Sequence, residues 1–539
     1  MSSDGSPKDL ASGRGVTRLD FVRGVAGGGA ALGLSGLLAA CDLGGGGDKA
    51  ASTAAATGPP RRGGEFIAAY GNGGGQTASL DPDTSIHYWP DLAGQQALYD
   101  RLVVRDDDFK LVNTLAEEVT PDSSAESWTI RLKDGIEFHN GKTLDADDVI
   151  ASIRRKLNLK ASTSAPVWAL VDPKAIKKID KRTLSIGMLR PYAIFPSSLA
   201  QYTGYITPAD FDPRHPVGTG PFKLVSFSPG QQTVLERFDN YWGEGPYFDR
   251  VTILDMPEET ARVNSLLSGQ VHAIQGVPAS QLPAISSAGQ VPLISKTGAW
   301  LPISMNVDKP PFNDVRVRQA MRLIIDREEM LRTALAGQGR VANDLYGVLD
   351  PGYDTGIPQR VQDIEQAKSL LKQAGQENLN VELRTAAVAG GVVPACEVLA
   401  RQAKDAGVNV NIRKMSSADY YASDFLNYPF ATDYWQAGAY LDLTALADGP
   451  GAPYNQTHWN DKEFTGLYYK ALAELDDRRR YQTVHDMQQI QWERGGYIIW
   501  AFPNYLDARS PKVAGLGPIA KSIYPLRNLE LHRAWFVEG

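Results

Sequence analysis

Residues 115–155 read LAEEVTPDSSAESWTIRLKDGIEFHNGKTLDADDVIASIRR. Trp128, Ile130 and Leu132 alternate with polar residues, the period-two pattern of a half-buried strand. Asp134-Gly135 punctuates the run, and Ile136 and Phe138 alternate beyond it, which predicts a second short strand. Asp145 stands where a helix N-cap belongs, with Asp148 at the third helical position and Val149, Ile153 and Leu157 on one face. Strand, turn, strand and capped helix in one short stretch mark a mixed α/β chain. The same alternation continues outward. Gly64 to Tyr70 is a short β-rich run, and Val317, Met321 and Ile324 form the inner stripe of a helix that starts near Asn313. Asp363 opens another helix with Gln366 in capping-box spacing, Ala367, Leu370 and Leu371 facing inward and Gly375 closing it. No repeat of about 20–50 residues is visible, so several distinct α/β lobes are expected rather than a solenoid.

The chain has 539 residues, more than one hydrophobic core usually serves, so at least two domains are expected. Charged residues make up 22% and apolar ones 43%, the balance of an ordinary globular protein rather than a disordered or multi-span membrane chain. A net charge of −7, spread along the sequence, lacks the basic field that binding a phosphate backbone requires, and nucleic acid is not expected as a partner. The two cysteines, Cys41 and Cys396, cannot form a disulfide framework.

Residues 1–40 read as an export signal. Lys8, Arg14, Arg18 and Arg23 precede an uncharged stretch from Gly24 to Ala40, which is short and weakly apolar for a membrane-spanning helix. Its end, Leu38-Ala39-Ala40-Cys41, resembles the lipobox of bacterial lipoproteins, which implies lipidation of the Cys41 thiol. Thr17 to Arg23 resembles a twin-arginine motif with Leu19 in place of the second arginine, and both that route and Sec export stay open. Residues 41–60, rich in Gly, Ala, Ser and Thr, hold no core-forming residues and are expected to be a flexible tether. The folded body is expected to begin near Arg61, outside the cytoplasmic membrane, held there by the lipid.

Signatures of catalysis are missing. The histidines, His87, His139, His215, His272, His458, His485 and His532, never fall at the four-residue spacing of a helical zinc motif. There is no G-x-S-x-G elbow. Gly135 to Thr143 ends like a P-loop, but Ile136 occupies a required glycine position and the segment alternates like a strand. Cys396 shares a helix face with Val393, Leu399, Ala400 and Ala403 and is expected to be a packed core thiol.

Longer segments carry a resemblance. Residues 115–155, Pro216-Val-Gly-Thr-Gly-Pro-Phe222 leading to Asp239-Asn-Tyr-Trp-Gly243, Asn306 to Ala320 running into Ile325-Asp-Arg-Glu328, and Asp363 to Gly375 are similar to family 5 extracellular solute-binding proteins. These are the oligopeptide-, dipeptide- and nickel-binding receptors of ABC importers, and the likeness runs in order from about 65 to 530. One departure is His272, where the family usually has an aspartate, expected to be a surface matter. The resemblance implies a class C (type II) periplasmic-binding-protein fold, with two hinged lobes and an inserted subdomain. Lobe one is expected at 61–93, 208–303 and 498–539, the subdomain at 94–207 and lobe two at 304–497. It further implies no catalytic centre, metal or cofactor, an ABC permease and ATPase complex as partner, and a monomer.

Peptide-binding relatives carry Gly-Trp-x-x-Asp, whose aspartate pairs with the ligand's amino terminus. The matching stretch here is Tyr434-Trp435-Gln436-Ala437-Gly438-Ala439-Tyr440-Leu441-Asp442, with Gly438 in the aspartate's place and Asp442 matching only a later acid. An ammonium buried without a carboxylate loses several kcal/mol, so a peptide is the family default rather than a reading of these residues. The aromatic residues Tyr88, Trp89, Trp300, Trp435 and Tyr440, with Asp442 and His87, are the candidate ligand contacts, since flat rings stack on sugar rings or on peptide side chains. An oligosaccharide or other solute is the alternative ligand, and a secreted hydrolase on the same scaffold, for which no nucleophile-base motif is present, is the alternative class.

Overall fold

The computed structural model describes residues 59–71, 75–85, 88–160, 162, 164–422 and 424–537. The export signal, Cys41, most of the tether and His87 lie outside the described residues.

The body is mixed α/β and organised around one sheet of 12 strands. Its central member, Tyr497–Arg509, is 13 residues long and belongs to both halves of the molecule. Its first residues pair antiparallel with Leu301–Met305, Ile498 opposite Ile303, and sit in a core with Met321 and Leu399. Its last residues pair with Val291–Lys296, Arg509 opposite Val291, and with Ala273–Ile274. Outward from the first half lie Phe430–Thr432, Asn380–Thr385 and Asn409–Lys414; outward from the second lie Glu65–Tyr70, Arg250–Asp255, Gln232–Arg237 and Phe222–Ser228. Two lobes thus share a sheet and are joined where Lys296 faces Asn504 and Leu301 faces Ala501.

A separate antiparallel sheet, in the order Ala116–Pro121, Ser127–Leu132, Thr183–Met188 and Val171–Lys178, forms the inserted subdomain with the helix Ala146–Asn158 on it. Trp128, Ile130 and Leu132 are all buried, as their alternation requires. Asp145 caps that helix by accepting from the backbone of Asp147 and Asp148, and the Asp148 side chain accepts from Asp145 N at 3.1 Å, closing the capping box. The expected strand at Ile136–Phe138 does not form. The chain turns back at Gly141, φ +82°, leaving one bridge, Glu137 to Thr143, too short for a ladder. The helix expected to start near Asn313 runs Val315–Leu323 and is capped by Asp314, whose carboxylate accepts from Arg316 N. Gly375 ends Ile364–Gln373 at φ +67°, the left-handed position that glycine tolerates.

Buried ions attach the subdomain to lobe one. Lys156 Nζ donates to Asp83 Oδ1 at 2.7 Å, with both side chains fully buried, and Arg155 Nη2 to Asp81 Oδ2 at 2.7 Å. It also leans on lobe two, Ala193 N donating to Leu472 O at 2.6 Å. His272 is half-buried and packed rather than free on the surface: Nδ1 accepts the N–H of Ile67 at 3.0 Å and the ring packs on Phe66 and Phe536. Its substitution for an acid keeps an acceptor at a strand end while adding an aromatic face to the core. Cys396 is fully buried in the lobe-two core, where burial pushes its thiol up to about 11.

Candidate ligand cleft between the lobes

A cavity of about 570 Å³ opens where the two lobes meet. Lobe one contributes Tyr88 and Trp89 at the start of the helix Trp89–Leu98, then Gln275, Tyr505 and Asp507 from the sheet. Lobe two contributes Gln338, Gly391 and the run Tyr434-Trp435-Gln436, and Leu301 comes from the strand at the joint. Trp89 meets Tyr505 edge to face, ring centroids 6.0 Å apart, giving the lobe-one wall a firm aromatic corner.

On the opposite wall Trp435 is held from behind. Its backbone exchanges hydrogen bonds with Trp300 (2.9 and 3.0 Å), and the two indoles stack at 5.0 Å and 15°. Trp300 lies 5.1 Å from Tyr346, which stacks on Tyr440 at 5.1 Å. Trp435 alone of this column reaches the cavity. Trp300 and Tyr440 are fully buried and line neither this cavity nor the smaller one beside it; they support Trp435 from behind. Tyr440 Oη donates to Gln491 Oε1 at 3.0 Å, and Gln491 Nε2 to Asp448 Oδ2 at 2.7 Å. Asp448, which also accepts from the Tyr346 hydroxyl, is pushed up to about 7 by burial, while these donors pull the other way.

The cleft's charged lining is acidic. Glu259 and Asp507 line it, and no lysine, arginine or histidine does so among the described residues. Asp507 accepts the backbone N–H groups of Gly276 (3.1 Å) and Leu526 (2.7 Å), and burial raises its carboxyl to about 7 against their pull. Sequence reasoning missed Gln275, Tyr434, Gln436, Tyr505 and Asp507. Tyr434 and Gln436 flank Trp435 and were within reach; the others come into place only by folding.

Asp442 does not line this cavity. It lies on a second, smaller one of about 140 Å³ that shares Tyr434, Trp435 and Gln436 as a partition with the first. Its carboxylate accepts from the Ser197 hydroxyl, and Arg105 stands 3.8 Å away while donating to Ser197 Oγ at 2.6 Å. Burial raises Asp442 to about 6, with Arg105 opposing the rise. Gly438 lines the same chamber. Among the described residues no group of three or more His, Cys, Asp or Glu is placed to hold a metal ion, and no helix is long and apolar enough to cross a membrane.

Two lobes sharing one sheet, an inserted subdomain and an interlobe cleft are the architecture of a type II binding protein. Residues 110–455 match the family described as bacterial extracellular solute-binding proteins, family 5 (middle), and the chain belongs to that family. Members are extracytoplasmic binding proteins that deliver ligand to the permease of an ABC importer. The chain is similar to the glutathione-binding protein GsiB of Pectobacterium atrosepticum, 24% identical over 502 residues, 85% of this chain and 93% of the relative. Its fold is similar to that of DppA from Helicobacter pylori in complex with the peptide STSA, TM-score 0.74 at 20% identity, covering 89% of this chain and 99% of DppA. It is also similar to AgaA from A. tumefaciens R10 in complex with agropinic acid, TM-score 0.73 at 22% identity, covering 88% and 99%.

Proposed function

We propose that this chain is a lipid-anchored receptor that captures a solute between its two lobes and delivers it to an ABC permease and its ATPase. The observation that carries the reading is a cavity of about 570 Å³ walled by both lobes at the strands that join them. A ligand touching both walls gains contacts only when the lobes are closed, so its binding free energy shifts the population toward the closed form. Tyr88, Trp89 and Trp435 are the stacking surfaces and Gln275, Gln436 and Asp507 the polar contacts, while Trp300 and Tyr440 position Trp435. Cys41 is the proposed lipid attachment point, and 61–93, 208–303 and 498–539, 94–207 and 304–497 are the proposed units of lobe one, subdomain and lobe two.

The charged groups on the cleft surface are the acids Glu259 and Asp507, with Arg262 acting on both from behind the wall, and this surface favours a neutral or cationic solute over an anion. That sets this chain apart from what the names of its relatives suggest by default, since glutathione carries a net negative charge at neutral pH. A non-peptide solute is the second reading. It is favoured by Gly438, which offers no carboxylate to an amino terminus, and by Asp442, already engaged by Arg105 and Ser197.

Native mass spectrometry of protein purified without denaturation tests the reading, with small-angle scattering before and after the ligand is removed. A bound small molecule whose removal expands the particle is the expected result. Conversion of that molecule into a product by the purified protein overturns it in favour of a hydrolase.

A further inference from the structure

The smaller chamber has a chemistry of its own. We infer that it receives an uncharged, ring-sized apolar end of the solute, whose polar part lies in the main cleft beyond Trp435. This rests on the receptor reading above.

Size is the first argument. At about 140 Å³ the chamber is close to the roughly 150 Å³ of an apolar protein cavity that binds benzene, so one six-membered ring or a branched aliphatic group fills it. Its lining is the second. Phe109, Leu443, Leu446, Tyr454 and Ile523 supply an apolar wall, and Trp435 meets Tyr454 edge to face at 6.2 Å. The third is that its charges are spent on each other. Arg105 and Asp442 are the ionic groups on the wall; they are 3.8 Å apart, with the Ser197 hydroxyl donating to one and accepting from the other. An ammonium entering here must displace Arg105 from a buried carboxylate, and a carboxylate must displace Asp442. The fourth is Gly438. A Cβ at this position would stand 3.0 Å from Leu443, so a side chain there moves the wall itself. Tyr434, Trp435 and Gln436 face both spaces, so a solute can reach round this partition with one end on each side.

Fluorine NMR titrations with 4-fluorotoluene and its charged analogue 4-fluorobenzylammonium test the assignment. The neutral ring is expected to bind saturably and at least tenfold more tightly than the ammonium, and Leu446→Trp, which fills the chamber, should weaken it at least tenfold. Ser280→Trp, an exposed position that lines only the main cleft, should change it less than twofold. Nuclear Overhauser contacts from the neutral probe to the Leu443 and Leu446 methyl groups in the unaltered protein give a readout that needs no variant to fold. Equal or tighter binding of the ammonium, or contacts to other methyl groups, overturns the assignment. If the neutral probe fails while a co-purified solute still closes the lobes, the end-group assignment falls and the receptor reading stands. A probe seated here in a protein that captures no solute overturns both, because no solute then has an end to place.

Discussion

At the scale of single residues, Trp435 has two separable duties. It lines the interlobe cavity on one side and stacks on Trp300 on the other, at 5.0 Å. Removing a buried aromatic anchor from an interface typically costs about 2 kcal/mol or more, roughly thirtyfold in affinity. Emptying a packed site of a large ring costs about 3–5 kcal/mol of stability. Trp435→Ala is therefore expected to lose both affinity and melting temperature, whereas Trp300→Ala should lose mainly stability. Calorimetric titration of the co-purified solute beside thermal melts separates the two; equal affinity loss in both variants would mean that Trp300 also meets the ligand. Asp442 supplies a pH test. Burial lifts its carboxyl from 3.8 to about 6, so its contribution to stability is present below the ordinary value and is lost as pH rises through about 6. Arg105→Gln removes the charge that opposes this rise, and ionising the carboxyl then costs more. The stability gap between wild type and variant should be smallest near about pH 4 and widen above about pH 6. A gap that is constant from pH 4 to pH 8 rules out the pairing as its cause.

At the scale of elements, local chemistry was the most legible. The capping box of Asp145 and Asp148 needs only residues a turn apart, and both of its bonds form. Asp145→Ala should lower stability by about 1 kcal/mol in urea unfolding, within the range measured for lost N-caps; no change would mean that packing alone holds the helix end. The same local reasoning failed at Ile136 and Phe138. Alternation marks which side chains are buried, and both are, but it does not say whether a partner strand lies alongside. It also placed Trp300 and Tyr440 at the ligand, because an aromatic residue near a cleft and one packed behind it look alike in one dimension. Asp507 was invisible for the opposite reason. Its companions Gly276 and Leu526 arrive from different parts of the chain, and only the fold brings their N–H groups to its carboxylate.

At the scale of the whole molecule, the two-lobed class was legible from the order of a few long segments, while the content of the cleft was not. The cleft's walls are drawn from residues 88 to 507, a spacing at which sequence pattern carries no information about contact. The subdomain is fixed to lobe one through Asp83 and Lys156 and touches lobe two through Ser197 and Asp442, so closing the cleft and seating the subdomain are expected to be one motion. Ser197→Ala should then raise the open population measured by small-angle scattering without solute; an unchanged profile would separate the two events. The strand Tyr497–Arg509 has a consequence for biosynthesis. It is the middle strand for both lobes, yet it follows nearly all the residues it must join, and pairing between such distant partners is slow to form. Until a ribosome has added Gly496 and gone on, neither half of the sheet has its centre. Nascent chains halted before Tyr497 should be cut by protease throughout the body, and resistance should appear in both lobes together once that last long strand emerges.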